Sequence, residues 1–401
     1  MRRLISTFAL ICSIPAATFA GEWYHQPSIS LSAAQRLHGE DQLTSQVNAL
    51  GLLLEFQGST LSAKFQGRVE YDSAYDWHDG YSDAAKDEYQ SRLWVDDAYL
   101  RWFAGSVDLS LGYQKVVWGQ ADDLRVVDVV NPLDLKDFVL FDIDDYRMSL
   151  PMLRAETSFG NWSLDGMWIL DAKANELPAS GSEFDLGLPS DMSTNEPSGT
   201  EVGVRLQGFV ADTDVAFYGF HGYNDMPVIS FDLTGVSEDF HRESMLGTSL
   251  SRPFGPVVMR GEWAFFHQRE FGYIDGSHSA HHQQQWLVGV DYLMGNWLIT
   301  GQYSDRRIAG WNDMLATPEK DPLYTLSADG QLASDTIALR IAVSHSDSLG
   351  GGQLYQSKLT YRPSANWAWQ LNIDLLDGEE TNFFGQFQDN DRIWTSVTYT
   401  F

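Results

Sequence analysis

Between residues 119 and 151 the chain mixes acids, bases and branched apolar side chains. Asp122, Asp123, Arg125, Asp128, Asp142, Asp144, Asp145 and Arg147 are interleaved with Val126, Val127, Val129, Val130 and the run 138–141. This set holds no nucleophile paired with a base. What fixed charges can do, if a fold holds them at a narrow passage, is sort solutes by sign and polarity. A loop of this length inside a compact fold is either functional or disordered, and its apolar content argues against disorder. We expect a constriction loop that folds into a lumen. The bland alternative is that Arg125, Arg147 and the aspartates merely clamp the loop to a wall.

Other reactive-looking residues carry less. Ser346-Asp347-Ser348-Leu349 resembles the serine block of some esterases, but it lies in a Gly-rich connection with no Asp/His pair to complete it. His278, His281 and His282 are close in sequence, yet no cysteine or carboxylate spacing closes a metal site around them. No Gly-rich phosphate loop precedes a helix. We therefore expect no enzyme and assign no catalytic residue, metal or cofactor.

The elements that position the charged loop are strands. Residues 61–71 set Leu61, Ala63, Phe65, Gly67, Val69 and Tyr71 against Ser62, Lys64, Gln66, Arg68 and Glu70. The same period of two recurs at 107–114, 336–344, 367–375 and in the closing segment 392–401. One face apolar and one polar, repeated along the whole chain, is the pattern of transmembrane β-strands. Short turns at 58–60, 104–106, 160–161, 211–213, 252–256, 295–296 and 363–366 alternate with long polar stretches. With Ser28–Leu37 as the first strand, a turn at 329–333 and an outer loop at 345–352, the count is about 18 strands, 16 being the alternative. Both termini fall on the short-turn side, and 119–151 becomes the third outer loop. The fold class is all-β, a transmembrane antiparallel β-barrel. On its strands Lys64, Arg68, Arg154, Arg205, Arg260 and Lys358 fall on the inward face. They are the expected lining of a channel, opposite the aspartates of the third loop; the alternative is that they pair with Glu70, Glu156 or Glu262 to hold a packed lumen.

The ends of the chain agree. Residues 1–20 read as a secretory signal peptide, with Arg2 and Arg3, an apolar run too short to span a bilayer, and Thr18-Phe19-Ala20 before Gly21. The single cysteine, Cys12, lies within it, so residues 21–401 form a barrel domain without disulfides. Nothing after Ala20 is long and apolar enough for a transmembrane helix, and a membrane chain without helices must close as a barrel. Fourteen Trp, 17 Tyr and 22 Phe suffice for two interfacial girdles. A net charge of −29 argues against nucleic acid and fits loops that meet lipopolysaccharide through divalent cations. Tyr399-Thr400-Phe401 resembles the terminal signature by which bacterial assembly machinery recognises outer-membrane barrels.

The run Lys115-Val116-Val117-Trp118-Gly119 to Asn131-Pro132, followed by Arg147 and Pro151-Met152-Leu153-Arg154, resembles a proteobacterial outer-membrane barrel family of unknown function. Phe383-Phe384-Gly385-Gln386-Phe387 and Asp391-Arg392 are compatible with it. That family is often encoded beside resistance-nodulation-division-type exporters. The resemblance implies an export or uptake role, with an envelope exporter as a partner, and names no ligand. The expected function is an outer-membrane channel or conduit for small solutes or exporter substrates. The alternative is a closed barrel acting as adhesin, receptor or scaffold through its acidic loops.

Overall fold

The computed structural model describes residues 21–38, 43–77, 80–122, 124–137, 146–189, 191–232 and 235–401. The expected signal peptide lies outside them. The chain runs through β1 (Gly21–Arg36), β2 (Leu43–Gly58), β3 (Leu61–Asp72), the short helix α1 (Asp83–Tyr89), β4 (Ser91–Ala104) and β5 (Val107–Gln114). It continues with β6 (Leu150–Phe159), β7 (Trp162–Ile169), β8 (Ser193–Asn195), β9 (Glu201–Val210), β10 (Thr213–Tyr223), β11 (Val228–Asp232) and β12 (Gly235–Asp239). Then follow β13 (Arg242–Phe254), β14 (Val257–Gly272), β15 (His278–Met294), β16 (Trp297–Ile308) and β17 (Leu323–Leu332). The last strands are β18 (Ile337–Ser346), β19 (Gly352–Tyr361), β20 (Trp367–Gly378) and β21 (Arg392–Thr400).

Eighteen of these form one antiparallel sheet. Each strand pairs with the next, and β1 pairs with both β2 and β21, from Ser28↔Thr400 to Arg36↔Arg392. The sheet is therefore closed, and no strand of it is left as a free edge strand. No described helix is long and apolar enough to cross a membrane. β8, β11 and β12 form a separate three-stranded sheet from the fourth and fifth long connections.

Alternation decides which side faces out. On β5, Leu111 is 53% exposed while Ser110 is 2% exposed. On β20, Trp369 and Leu371 are exposed while Asn372 and Asp374 are shut in. A closed barrel with apolar side chains outside and polar ones inside is stable only with lipid around it. Exposed aromatics mark the short-turn rim: Trp102, Phe159, Phe209, Phe254, Trp367 and Phe401. Tyr113, Trp168, Tyr324 and Tyr355 stand at the other rim. This is the architecture of a transmembrane barrel, and the expected 18 strands are present.

Several boundaries differ from the sequence expectation. β1 starts at Gly21 rather than Ser28, and the turn after β17 covers 333–336 rather than 329–333. β14 and β15 reach into the long polar stretch expected at 271–281, leaving only 273–277 between them. Beyond the lipid both faces of a strand meet water, so the alternation that reveals a strand fades before the ladder ends. A bulge at Gln268, with φ 60°, shifts the β14–β15 register between Phe266 and Arg269 and hides the pattern further.

Candidate functional site

The six basic wall residues all stand on barrel strands, and the structure surrounds them with carboxylates. Lys64 Nζ lies 2.9 Å from Asp97 of β4. The Arg68 guanidinium is 2.6 Å from Glu70, 3.7 Å from Asp96, and 4.5 Å above the Trp94 ring. Arg154 grips Asp165 of β7 through two hydrogen bonds of 2.8 and 2.9 Å, and also donates to Glu156. Arg205 lies 3.3 Å from the same Asp165. Arg260 pairs with Asp291 and, at 2.9 Å, with Asp122 of the third loop. Lys358 borders a lumenal cavity of about 230 Å³ together with Arg68, Arg92, Arg392, Asp137 and Glu183. The wall is thus a lattice of interleaved charges rather than a field of one sign.

The third long connection, between β5 and β6, is organised by two buried side chains. Asn131 Oδ1 accepts from the Val116 N–H at 2.7 Å, and its amide donates to the carbonyls of Gln114 and Met148. Asp128 accepts from Arg147 Nη2 at 2.6 Å, from Arg147 Nε at 3.1 Å and from the Trp118 N–H, with Arg125 Nε 3.3 Å away. Arg147 is 4% exposed, so this pair is held in low dielectric where hydrogen bonds count for more.

The loop is then docked on the wall. Glu262 of β14 accepts from the backbone N–H groups of Gln120, Ala121 and Val127. Arg260 donates to the Gln120 carbonyl, Gln285 to that of Arg125, and the Gly119 N–H donates to Tyr218. Val126, Val127 and Val130 pack with Trp118, Met245, Phe266 and Leu287 in one buried cluster. Those wall residues alternate with the lipid-facing Leu246, Trp263 and Val288, so the cluster lies on the inner face. The approach is close. A Cβ on Gly247 of β13 would stand 2.7 Å from Val127 Cγ1, and one on Gly119, at φ +89°, would stand 2.5 Å from Glu262 Oε1. Asp122 remains the half-open acid, its side chain 43% exposed. Asp123, Asp142, Asp144 and Asp145 lie outside the described residues.

Further along the loop, Asp134 and Lys136 meet Glu88 of α1 and Glu176 of the fourth connection. Burial pushes the Asp134 carboxyl up to about 6, against the pull of Lys136. Its folded value exceeds its ordinary value of 3.8, so the folded chain holds this proton more tightly. The group's contribution to stability therefore rises as pH falls through about 6 toward 3.8. Protein labelled with ¹³C-aspartate should show a carboxyl titrating with a midpoint near 6. That resonance should vanish in Asp134→Asn; a midpoint in the ordinary carboxylate range would refute the assignment.

Sequence reasoning missed several participants. Glu262, like Glu70 and Glu156, is an inward carboxylate that parity marks as a partner for the basic wall, but its grip on the loop backbone carries no sequence signal. Arg392 shares the inward parity of its strand and could have been found that way. The inward leg of the fourth connection gave a weaker signal, Phe184 within a polar stretch. There Glu183 meets Arg36 at 3.3 Å, and Phe184 packs edge-on against Phe387 at 5.5 Å beneath the Arg392 guanidinium.

Solved structures share this architecture. OccAB1 of Acinetobacter baumannii superposes with a TM-score of 0.58 at 7% identity, over 96% of this chain and 98% of that one. Pseudomonas aeruginosa OpdK with vanillate gives 0.57 at 11% identity, over 95% and 98%. P. aeruginosa OccK2 (OpdF) in complex with glucuronate gives 0.55 at 13%, over 94% and 98%. No curated protein matches the sequence. A family model described as a protein of unknown function, DUF1302, matches residues 33–285, well over half of the 401. The chain belongs to that family.

Proposed function

We propose that the protein is a passive outer-membrane channel for small polar solutes, with the third loop as its constriction. The observation that carries this reading is the clamp of Glu262 on three backbone N–H groups of the loop. It fixes an apolar-and-charged segment against one side of the lumen and leaves the cavity beside Arg68, Arg92, Lys358 and Arg392 for a solute. Interleaved charges across such a passage favour polar solutes over apolar ones. Carboxylates are the class we propose first, since those basic groups can pair with them and two structural neighbours hold vanillate and glucuronate. Lipid and lipopolysaccharide surround the barrel in this reading. Phe401, whose N–H donates to Pro27 at 3.0 Å, serves assembly. An exporter as partner remains a proposal on the same footing.

Purified protein in planar bilayers should give discrete conductance steps; a silent bilayer with correctly folded protein would count against an open channel. Selectivity is best probed at Asp122. Arg125, paired with Asp128 inside the loop, would disturb the fold of the loop if reversed. Asp122→Arg should shift the reversal potential toward anions, because it replaces a negative group beside Arg260 with a positive one at a poorly screened point. An unchanged reversal potential would remove Asp122 from the solute path.

A further inference from the structure

At the outer ends of β13, β14 and β15, three possible metal ligands converge from three segments. His241 immediately precedes β13, Glu270 lies near the end of β14, and His278 opens β15. One ligand atom of each lies within 4.8 Å of the other two. His278 Nδ1 is 3.1 Å from Glu270 Oε2. A tetrahedral ion with bonds of about 2.0–2.1 Å sets its ligands about 3.3 Å apart, so this pair already has the required spacing. The His241 and His278 rings face each other at 4.7 Å between centroids. Most telling, His241 Nε2 is closed off from solvent and has no hydrogen-bond partner. A buried polar atom in that state has given up its hydrogen bonds to water and gained none in return unless something takes it up.

The neighbouring side chains narrow the choice. Asp239 accepts from Ser237 and Asn195, so it adds negative potential without being a free ligand. His281 is engaged through both nitrogens, Nε2 with Tyr273 at 3.1 Å and Nδ1 with the Ala309 carbonyl at 2.9 Å. His282 stacks on His267 at 4.8 Å. The three histidines close in sequence therefore go to different environments, and His278 meets Glu270 of β14 and His241 just before β13.

We propose that His241, Glu270 and His278 form a divalent transition-metal site suited to zinc, which pins the connection before β13 to the β14–β15 rim. Two imidazoles and one carboxylate without a thiolate suit zinc. Calcium and magnesium prefer all-oxygen cages. Three protein ligands leave a fourth position for water. The strongly acidic chain, at −29, raises the local concentration of cations.

The test uses tag-free, folded barrel in detergent, titrated with zinc chloride by calorimetry and with cobalt(II) by visible absorption. One equivalent should bind, and cobalt should give the intense bands of a four-coordinate site. Loss of an outer-shell partner alone costs about 10–100-fold in affinity, so His241→Ala and His278→Ala should each weaken binding by more than about 100-fold. His281→Ala should bind as the intact protein does. Zinc should also slow chymotrypsin cleavage after the exposed Phe231 in the pinned connection, and not in His278→Ala. The site is overturned if folded wild-type protein binds no zinc, if His241→Ala binds undiminished, or if His281→Ala loses binding equally.

Discussion

A barrel lacking residues 122–147 should assemble and conduct several-fold more current than the intact protein. Assembly should survive because Gln114 and Leu150 are ladder partners, and the remaining residues 115–121 and 148–149 bridge them. The ladder from β1 round to β21 draws nothing from the loop. Conductance should rise because Val126, Val127 and Val130 with their charged neighbours leave the lumen, and the wall beneath them is exposed to water. Heat-modifiable migration on gels would establish folding, and single-channel recording would give the step size. Unaltered steps in a folded barrel would sink the constriction reading.

The second large effect belongs to Asp128. Replacing it with alanine removes the carboxylate that the buried Arg147 grips twice and that Arg125 and the Trp118 N–H also use. Breaking a buried ion pair from one side costs about 3–5 kcal/mol, which leaves the loop to the packing of its valines and to hydrogen bonds of about 0.5–1.5 kcal/mol each, somewhat more for those to a charged group. The expected result is a noisy channel that flickers between narrow and wide levels, together with rapid proteolysis inside 115–149. Asp122→Asn is the control, since its half-exposed pair with Arg260 is of the kind worth about 0–1 kcal/mol. Quiet, protease-resistant Asp128→Ala channels would show that the wall holds the loop without its internal pair.

How much could be foreseen followed the solvent. Where lipid touches the barrel, every second residue must be apolar, and β3, β5, β18 and β20 were legible from that alone. Above the lipid the constraint lapses, so the last two residues of β14 and the first four of β15 read as loop. The chemistry of the third loop was visible because Val126–Val130 has no reason to be apolar in a solvated loop. Its anchor was not visible. Glu262 lies 142 residues from Gln120 and recognises backbone N–H groups, which every residue carries. The pairing of the wall was half visible: Arg68–Glu70 and Arg154–Glu156 are neighbours on one strand face, whereas Arg154–Asp165 and Arg260–Asp291 need the strand register. The inward leg at Glu183 and Phe184 was missed because a long polar connection gives no sign of its direction.

The small sheet of β8, β11 and β12 has a consequence for how the exterior can change. Its parallel pairs, Ser237↔Ser193 to Asp239↔Asn195, join the fourth and fifth connections by backbone hydrogen bonds that no single side chain controls. Host defences and phages press on such surfaces to diversify, and loops usually answer one at a time by insertion or deletion. Here a change of length in one connection would shift the register of the other. These two loops should vary as a pair across strains, and a short epitope inserted beside β8 should alter antibody access to the β11–β12 hairpin.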